Sequence, residues 1–257
     1  MAWPFVTVAA IFGAIIGSFL NVVIARLPAD ESIVRPGSRC PGCGRPIASH
    51  DNIPVLSYLL LRGRCRNCRT RISIRYPLVE LLTAAAFAFS YHWFGPTLDL
   101  AAALVLLSAL IAITFIDLDH RIIPNEISLP GIPVGFLFGS MRPSVGFADA
   151  GLGVLLGGGA LFALAYGYEK IRGREGMGMG DVKLLAMIGG FMGWQGVLVT
   201  LVVGSFVGSA VGIAFMIRER GTLQYAVPFG PFLALGAAFY LFWGAELFEW
   251  YLQATHL

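Results

Sequence analysis

The sequence predicts an all-α, polytopic membrane protein of about eight transmembrane helices, with one small soluble domain between the first and second. Three observations predict it. Apolar residues make up 57% of the chain and charged residues 13%, against roughly 25% charged in soluble proteins. Mean hydropathy is +0.75. The apolar residues also fall in runs suited to about 30 Å of hydrocarbon, which takes about 20 helical residues. The 32 glycines suit close helix packing in lipid.

The first span runs from Trp3 to Ile24. It lacks a basic lead-in and is long enough to stay as a helix rather than leave as a signal peptide. Pro77 suits a first helical position and opens a second span that ends near Trp93. The third is Leu98 to Ile116. Further spans are read at Ile127–Gly139, Ala148–Tyr168, Val182–Gly193, Gly196–Ile217 and Pro228–Phe248. The fourth and sixth are short for a bilayer, so they are expected to tilt, extend further or sit behind other helices. Gly95-Pro96 and Gly193 to Gly196 mark tight turns, and no internal repeat is evident. The domains therefore read as 1–24, the first helix; 25–76, soluble; and 77–257, a seven-helix membrane domain.

Charge tests this layout. Ten of the 18 Lys and Arg lie from Arg26 to Arg75, with only Asp30, Glu31 and Asp51 as acids. Such a segment resembles a nucleic-acid patch, but it leaves one span and enters the next, so the positive-inside rule accounts for it. No nucleic-acid partner is expected. With the first helix running inward, loops 25–76, 117–126, 169–183 and 218–227 hold 17 of the 18 basic residues, and Arg142 alone lies outside. Both ends are then outside, and the basic segment is cytoplasmic.

That segment holds all four cysteines, as Cys40-Pro-Gly-Cys43 and Cys65-Arg-Asn-Cys68. Two C-x2-C knuckles can present four thiolates tetrahedrally to zinc, and a reducing compartment argues against disulfides. Four thiolates leave no open position, so the metal is expected to be structural. A domain this small needs such a staple.

Two acids stand out among the 15. Asp117 closes an apolar helix, where the helix dipole disfavours an anion. Read alone, it is as well explained as a solvated helix-end acid or a partner of Arg121. Asp181 opens another apolar run after glycines 176, 178 and 180, and read alone it is an N-cap. A plain cap needs no glycines, whereas a tight or closely approached backbone does. Together the two carboxylates can share a proton, activate water and protonate a leaving amine. Asp119 competes with Asp117 but faces elsewhere on a helix. Gly178, Gly180 and Lys183 complete the candidate site, Lys183 being equally a solvated helix-start lysine. Glu80 suits the first turn of its helix and alternatively points into the bundle. No Ser-His-Asp arrangement, P-loop or dinucleotide fingerprint is present.

At these residues the chain resembles the bacterial type IV prepilin leader peptidases, membrane aspartyl proteases with a Gly-x-Gly-Asp signature. Gly17 to Pro28 is similar to the family's first helix and its exit. Cys40 to Glu80, with Asp51-Asn-Ile-Pro54 and Arg75-Tyr-Pro-Leu-Val-Glu80, resembles its zinc-bearing domain. Ile116-Asp-Leu-Asp-His-Arg-Ile-Ile-Pro-Asn125 and Gly178-Met-Gly-Asp181 resemble the two catalytic motifs, which implies that Asp117 and Asp181 are catalytic. Pro228-Phe-Gly-Pro231 resembles a late family motif. Asn125 departs mildly from the pattern, where many members have aspartate.

The resemblance implies a bacterial inner-membrane enzyme, with prepilins or pseudopilins as substrates and membrane lipid around it. It implies cleavage of a basic leader after a glycine, on the cytoplasmic side. It further implies N-methylation of the new N-terminus with S-adenosyl-L-methionine, although no methyl-donor site is readable in the residues. Rival readings are a peptidase without methyl transfer and a non-catalytic zinc-bearing scaffold for pilus or secretion assembly.

Overall fold

The computed structural model describes residues 3–173, 178–219 and 228–255. Gly176, Met177 and most of the expected 218–227 loop lie outside the described residues. The described chain is nearly all helical: α1 (Trp3–Arg26), α2 (Leu56–Leu60), α3 (Arg75–Phe94), α4 (Leu98–His120), α5 (Asn125–Met141), α6 (Phe147–Arg172), α7 (Met179–Glu219) and α8 (Gly230–Thr255). Among the described residues, four stretches are long and apolar enough to cross a membrane: Trp3–Ala29, Leu98–His120, Phe147–Ile171 and Met179–Ile217. The chain divides into two compact units, Met1–Ala112 and Ile113–Leu257.

In the first unit α1 lies against α3 at small residues. A Cβ added at Gly17 would stand 2.7 Å from the Glu80 Cα, so only glycine permits this approach. The hydroxyls of α3 there bond back within their own helix, as Thr83 Oγ1 does to the Val79 carbonyl at 2.7 Å. Asn21 donates to the Tyr76 carbonyl at 3.0 Å. Glu80 is buried and points into this contact. Its carboxylate accepts the Val55 N–H at 2.7 Å, and the Ser18 hydroxyl donates to it as well. Val55 has φ 59°, a strained choice for a β-branched residue, and this bond ties it to α3. The segment between α1 and α3 is thereby fastened to the start of α3.

The second unit is built around the first half of α7. Leu184, Leu185, Met187 and Ile188 are all fully buried. Expected as a short span at 182–193, this stretch instead begins at Met179 and is covered by α5 and α6. Glycines let their backbones meet: Gly135 faces the Met187 carbonyl and Phe191, and Gly157 faces Leu185. Pro130 and Pro133 lie inside α5, which a membrane helix tolerates when neighbours cover the freed backbone.

The α7 residues do not form one rod. Gly193 has φ 73° and ψ −176°, outside the helical region. A Cβ on Gly189 would lie 2.9 Å from Val197 Cγ2, although eight residues of straight helix span about 12 Å. The chain therefore folds back at Gly193, where the sequence places a turn. Breaking the helix frees its last carbonyls. Arg142 Nη1 donates to the Phe191 carbonyl at 2.8 Å, and Arg142 is buried. The one basic residue outside the expected inner loops is thus part of the packing, capping a helix end. Arg142→Met should cost about 1–3 kcal/mol through an unpaired buried carbonyl. Thermal melting in detergent checks this, with the exposed Met141→Leu as a nearby control.

Candidate active site and metal centre

Within the second unit, Asp117 lies in the last turn of α4, which continues past the expected end at Ile116 to His120. The Arg121 N–H closes that turn on the Asp117 carbonyl at 2.9 Å. Asp117 is 4% exposed, whereas Asp119 lies on an exposed face. Burial sets Asp117 apart from a solvated helix-end acid. Its Oδ2 accepts the backbone N–H of Gly230, the first residue of α8, at 3.0 Å.

Asp181 sits in the first turn of α7, not at its cap, because the helix already starts at Met179. Its own N–H donates to the Gly178 carbonyl at 3.2 Å. Asp181 is half-buried. Ile123 lies against both Gly180, the residue before Asp181, and Gly230, the donor to Asp117, so the fold brings the two carboxyl groups, 64 positions apart in the chain, to one place.

The glycines play different parts. A Cβ on Gly180 would lie 2.9 Å from the Ile123 Cβ, so the α7 start approaches the α4–α5 link closely. One on Gly178 would meet nothing nearer than 3.9 Å. Lys183 is half-buried, and its Nζ donates to Asn125 Oδ1 at 2.7 Å. It braces the α7 start to the α5 start and is not a purely solvated lysine. Gly230 and Ile123 gain roles of their own only in the folded chain. The Pro228–Pro231 motif and the spacing of Ile123 from Asp117 were the available signals.

In the first unit the four cysteine sulfurs lie within 4.8 Å of one another. The Cys40 and Cys68 sulfurs are 3.7 Å apart; a tetrahedron with metal–sulfur bonds of about 2.3 Å gives about 3.8 Å. The two knuckles share one geometry, matching their shared Arg-Cys-x-x-Cys-x-x-x-Ile pattern at 39–47 and 64–72. Cys40 N–H donates to the Arg45 carbonyl and Gly44 N–H to the Cys40 carbonyl; Cys65 N–H donates to the Thr70 carbonyl and Arg69 N–H to the Cys65 carbonyl. Arg39 pairs with Pro46, and Arg64 with Arg71. Gly44 and Arg69, at matching places, both have positive φ.

The donor set fits a dication. Thr70 beside Cys68 pulls its thiol down to about 6, and the N–H groups of Cys68 and Asn67 lower Cys65. Cys43, despite the Arg45 N–H, is pushed up to about 11 by desolvation and by the Cys68 and Cys40 sulfurs. Crowded sulfurs resist holding several negative charges, and a divalent ion removes that cost. Arg66 clasps Asp51 at 2.6 and 2.8 Å, joining the turn at Ser49–Asn52 to the second knuckle, and holds the Asp51 carboxyl below its usual range.

A largely helical chain with membrane-length apolar stretches, a buried and a half-buried aspartate and a four-cysteine cluster fits the class of membrane peptidases. The chain belongs to the type IV leader peptidase family, whose description it matches over residues 104–213, while residues 11–94 match the bacterial peptidase A24 N-terminal domain. It is 39% identical to a prepilin leader peptidase/N-methyltransferase of Aeromonas hydrophila, over 98% of this chain and 95% of that protein. It is 46% identical to one of Myxococcus xanthus, over 80% of this chain and 62% of that protein. With one of Pseudomonas aeruginosa it shares 35% identity over 97% of this chain and 94% of that protein. No solved structure matches the chain.

Proposed function

We propose that this chain removes the leader peptide of type IV prepilins or pseudopilins by aspartyl catalysis and methylates the new N-terminus with S-adenosyl-L-methionine. The observation that carries the peptidase half is the burial of Asp117 at the place where Ile123 touches both the start of α8 and the residue before Asp181. The methyl-transfer half is supported by the names of the relatives.

In the mechanism one aspartate is ionised and the other protonated. The ionised one takes a proton from water as the water oxygen bonds to the scissile carbon. The other gives its proton to the carbonyl oxygen. The resulting diol collapses when the first aspartate returns its proton to the amide nitrogen and the second takes a hydroxyl proton. The C–N bond then breaks, one water is consumed, and both groups regain their starting states. Gly180 lets the first turn of α7 approach Ile123 closely, and Lys183 braces that turn through Asn125. The buried setting keeps bulk water from screening the pair.

The metal of the first unit is zinc on this reading, held by Cys40, Cys43, Cys65 and Cys68. It supplies folding energy to the domain at 25–76 and no chemistry. The membrane domain at 77–257 has seven spans and the whole chain eight, with both termini periplasmic and the aspartates facing the cytoplasm. The reversal at Gly193 supports two spans within α7, and the 17-to-1 partition of basic residues supports the orientation. Arg142 is buried, so a label there reads packing. Ser144→Cys and Gly173→Cys, both exposed, should instead be labelled from opposite faces of intact vesicles; labelling from one face contradicts the orientation.

The experiment that tests the function incubates the purified protein with a prepilin and a labelled methyl donor. Leader loss with label on the product is expected. Leader loss without label leaves the peptidase-only reading.

A further inference from the structure

We propose that the Gly230 N–H, at the start of α8, holds Asp117 as the ionised, proton-accepting member of the pair and leaves Asp181 to carry the proton. This deepens the Asp117–Asp181 reading and rests on it.

The start of α8 is built to offer one donor to one acceptor. A helix leaves its first four N–H groups without internal partners. Here Phe232 and Leu233 donate to the Phe229 carbonyl at 3.0 and 3.1 Å. Pro231 has no N–H. The Gly230 N–H is left and goes to Asp117 Oδ2 at 3.0 Å, in a buried setting. The residue is glycine for a local reason: an added Cβ would stand 2.6 Å from that oxygen and 3.2 Å from Asp117 Cγ. The Pro-Phe-Gly-Pro stretch thus reads as a socket for the Asp117 carboxylate.

An N–H aimed at a carboxyl oxygen favours its charged form. The helix ends act on the pair too. The end of α4 disfavours charge on Asp117, the start of α8 favours it, and the start of α7 favours charge on Asp181. The two ends at Asp117 oppose each other. A direct hydrogen bond to a charged group outweighs the remaining helix end, so the negative charge settles on Asp117. Among the described residues no comparable donor reaches the Asp181 carboxyl. The titratable and charged groups at the element ends that meet near Asp117 are Asp119 and His120 of α4, Arg121 beyond it, Glu126 of α5, and Asp181 and Lys183 of α7. Lys183 is engaged with Asn125.

The test replaces the Gly230 amide by an ester, using glycolic acid at position 230 of the full chain, and follows prepilin cleavage. Removing this donor should lower kcat about 10- to 100-fold with little change in KM. The acidic limb of the kcat/KM profile should move to higher pH and the alkaline limb should stay. Melting temperature and metal content should match the parent. If the ester chain does not accumulate, Gly230→Ala takes its place, because its methyl group displaces Oδ2 and should give the same kcat loss and limb shift. An unchanged kcat and acidic limb overturn the proposal, and movement of the alkaline limb instead assigns the proton to Asp117 and overturns it too. Asp117→Asn in the same assay separates the layers. If it cleaves normally, the aspartyl reading itself fails. If it is inactive while the ester chain matches the parent, only the Gly230 proposal fails.

Discussion

Asp117→Asn and Asp181→Asn should each lower leader cleavage by at least about a thousandfold while melting temperature and metal content stay near those of the parent. An amide has nearly the shape of a carboxyl but neither takes nor gives a proton in this range, so the substitution removes the chemistry and spares the packing. For Asp117 it also keeps an oxygen for the Gly230 N–H. The double variant should be no worse than either single one, because members of one proton-sharing unit fail together. Asp119→Asn should be mild, since that side chain lies on an exposed face. Either Asp117→Asn or Asp181→Asn should still methylate a pre-cleaved substrate, because methyl transfer uses no acid pair. Steady-state kinetics on a purified prepilin checks all of these, and normal cleavage by Asp117→Asn or Asp181→Asn contradicts the assignment.

Cys40→Ser should remove the bound metal and unfold the 25–76 segment while the helical signal largely persists. Cys40 is buried at the heart of the cluster, with Cys68 at 3.7 Å. Structural zinc in finger peptides supplies about 10–16 kcal/mol of apparent binding energy, more than a small domain draws from its core. The side-chain ties that hold the segment, among them the Arg66–Asp51 clasp, the Val55–Glu80 bond and the Arg26 bonds to the Ser32, Pro36 and Gly37 carbonyls, are worth about 1–3 kcal/mol each and do not replace the metal. Elemental analysis should give about one zinc per parent chain and none in the variant. Limited proteolysis should cut the variant between α1 and α3. A metal-free parent that resists the protease there contradicts the zinc assignment.

The parts legible in the sequence were those written in local pattern. Composition exposed the membrane class, and the paired C-x2-C spacing exposed the metal cluster. The flanks of Asp117 and Asp181 marked both as unusual. What escaped was set by contacts between distant residues. Gly230 lies 113 positions from Asp117, and no local rule links them. Arg142 looked like a stray charge because the carbonyl it caps is 49 positions away. The end of α4 was placed one turn early because Asp117 looked like a stop, when burial and the Gly230 donor let the helix run on. The first half of α7 looked too short for a bilayer because periodicity cannot show that neighbours cover it. Glu80 was ambiguous for the same reason, its partner Val55 lying in another segment.

One measurement tests the account most directly. Purified protein is incubated with a prepilin and an isotope-labelled methyl donor, and the intact mass of the pilin chain is read. The account predicts loss of the leader together with gain of one labelled methyl group, and Asp181→Asn in parallel should leave the leader on. An intact leader with the parent protein, folded and holding its metal, would contradict it.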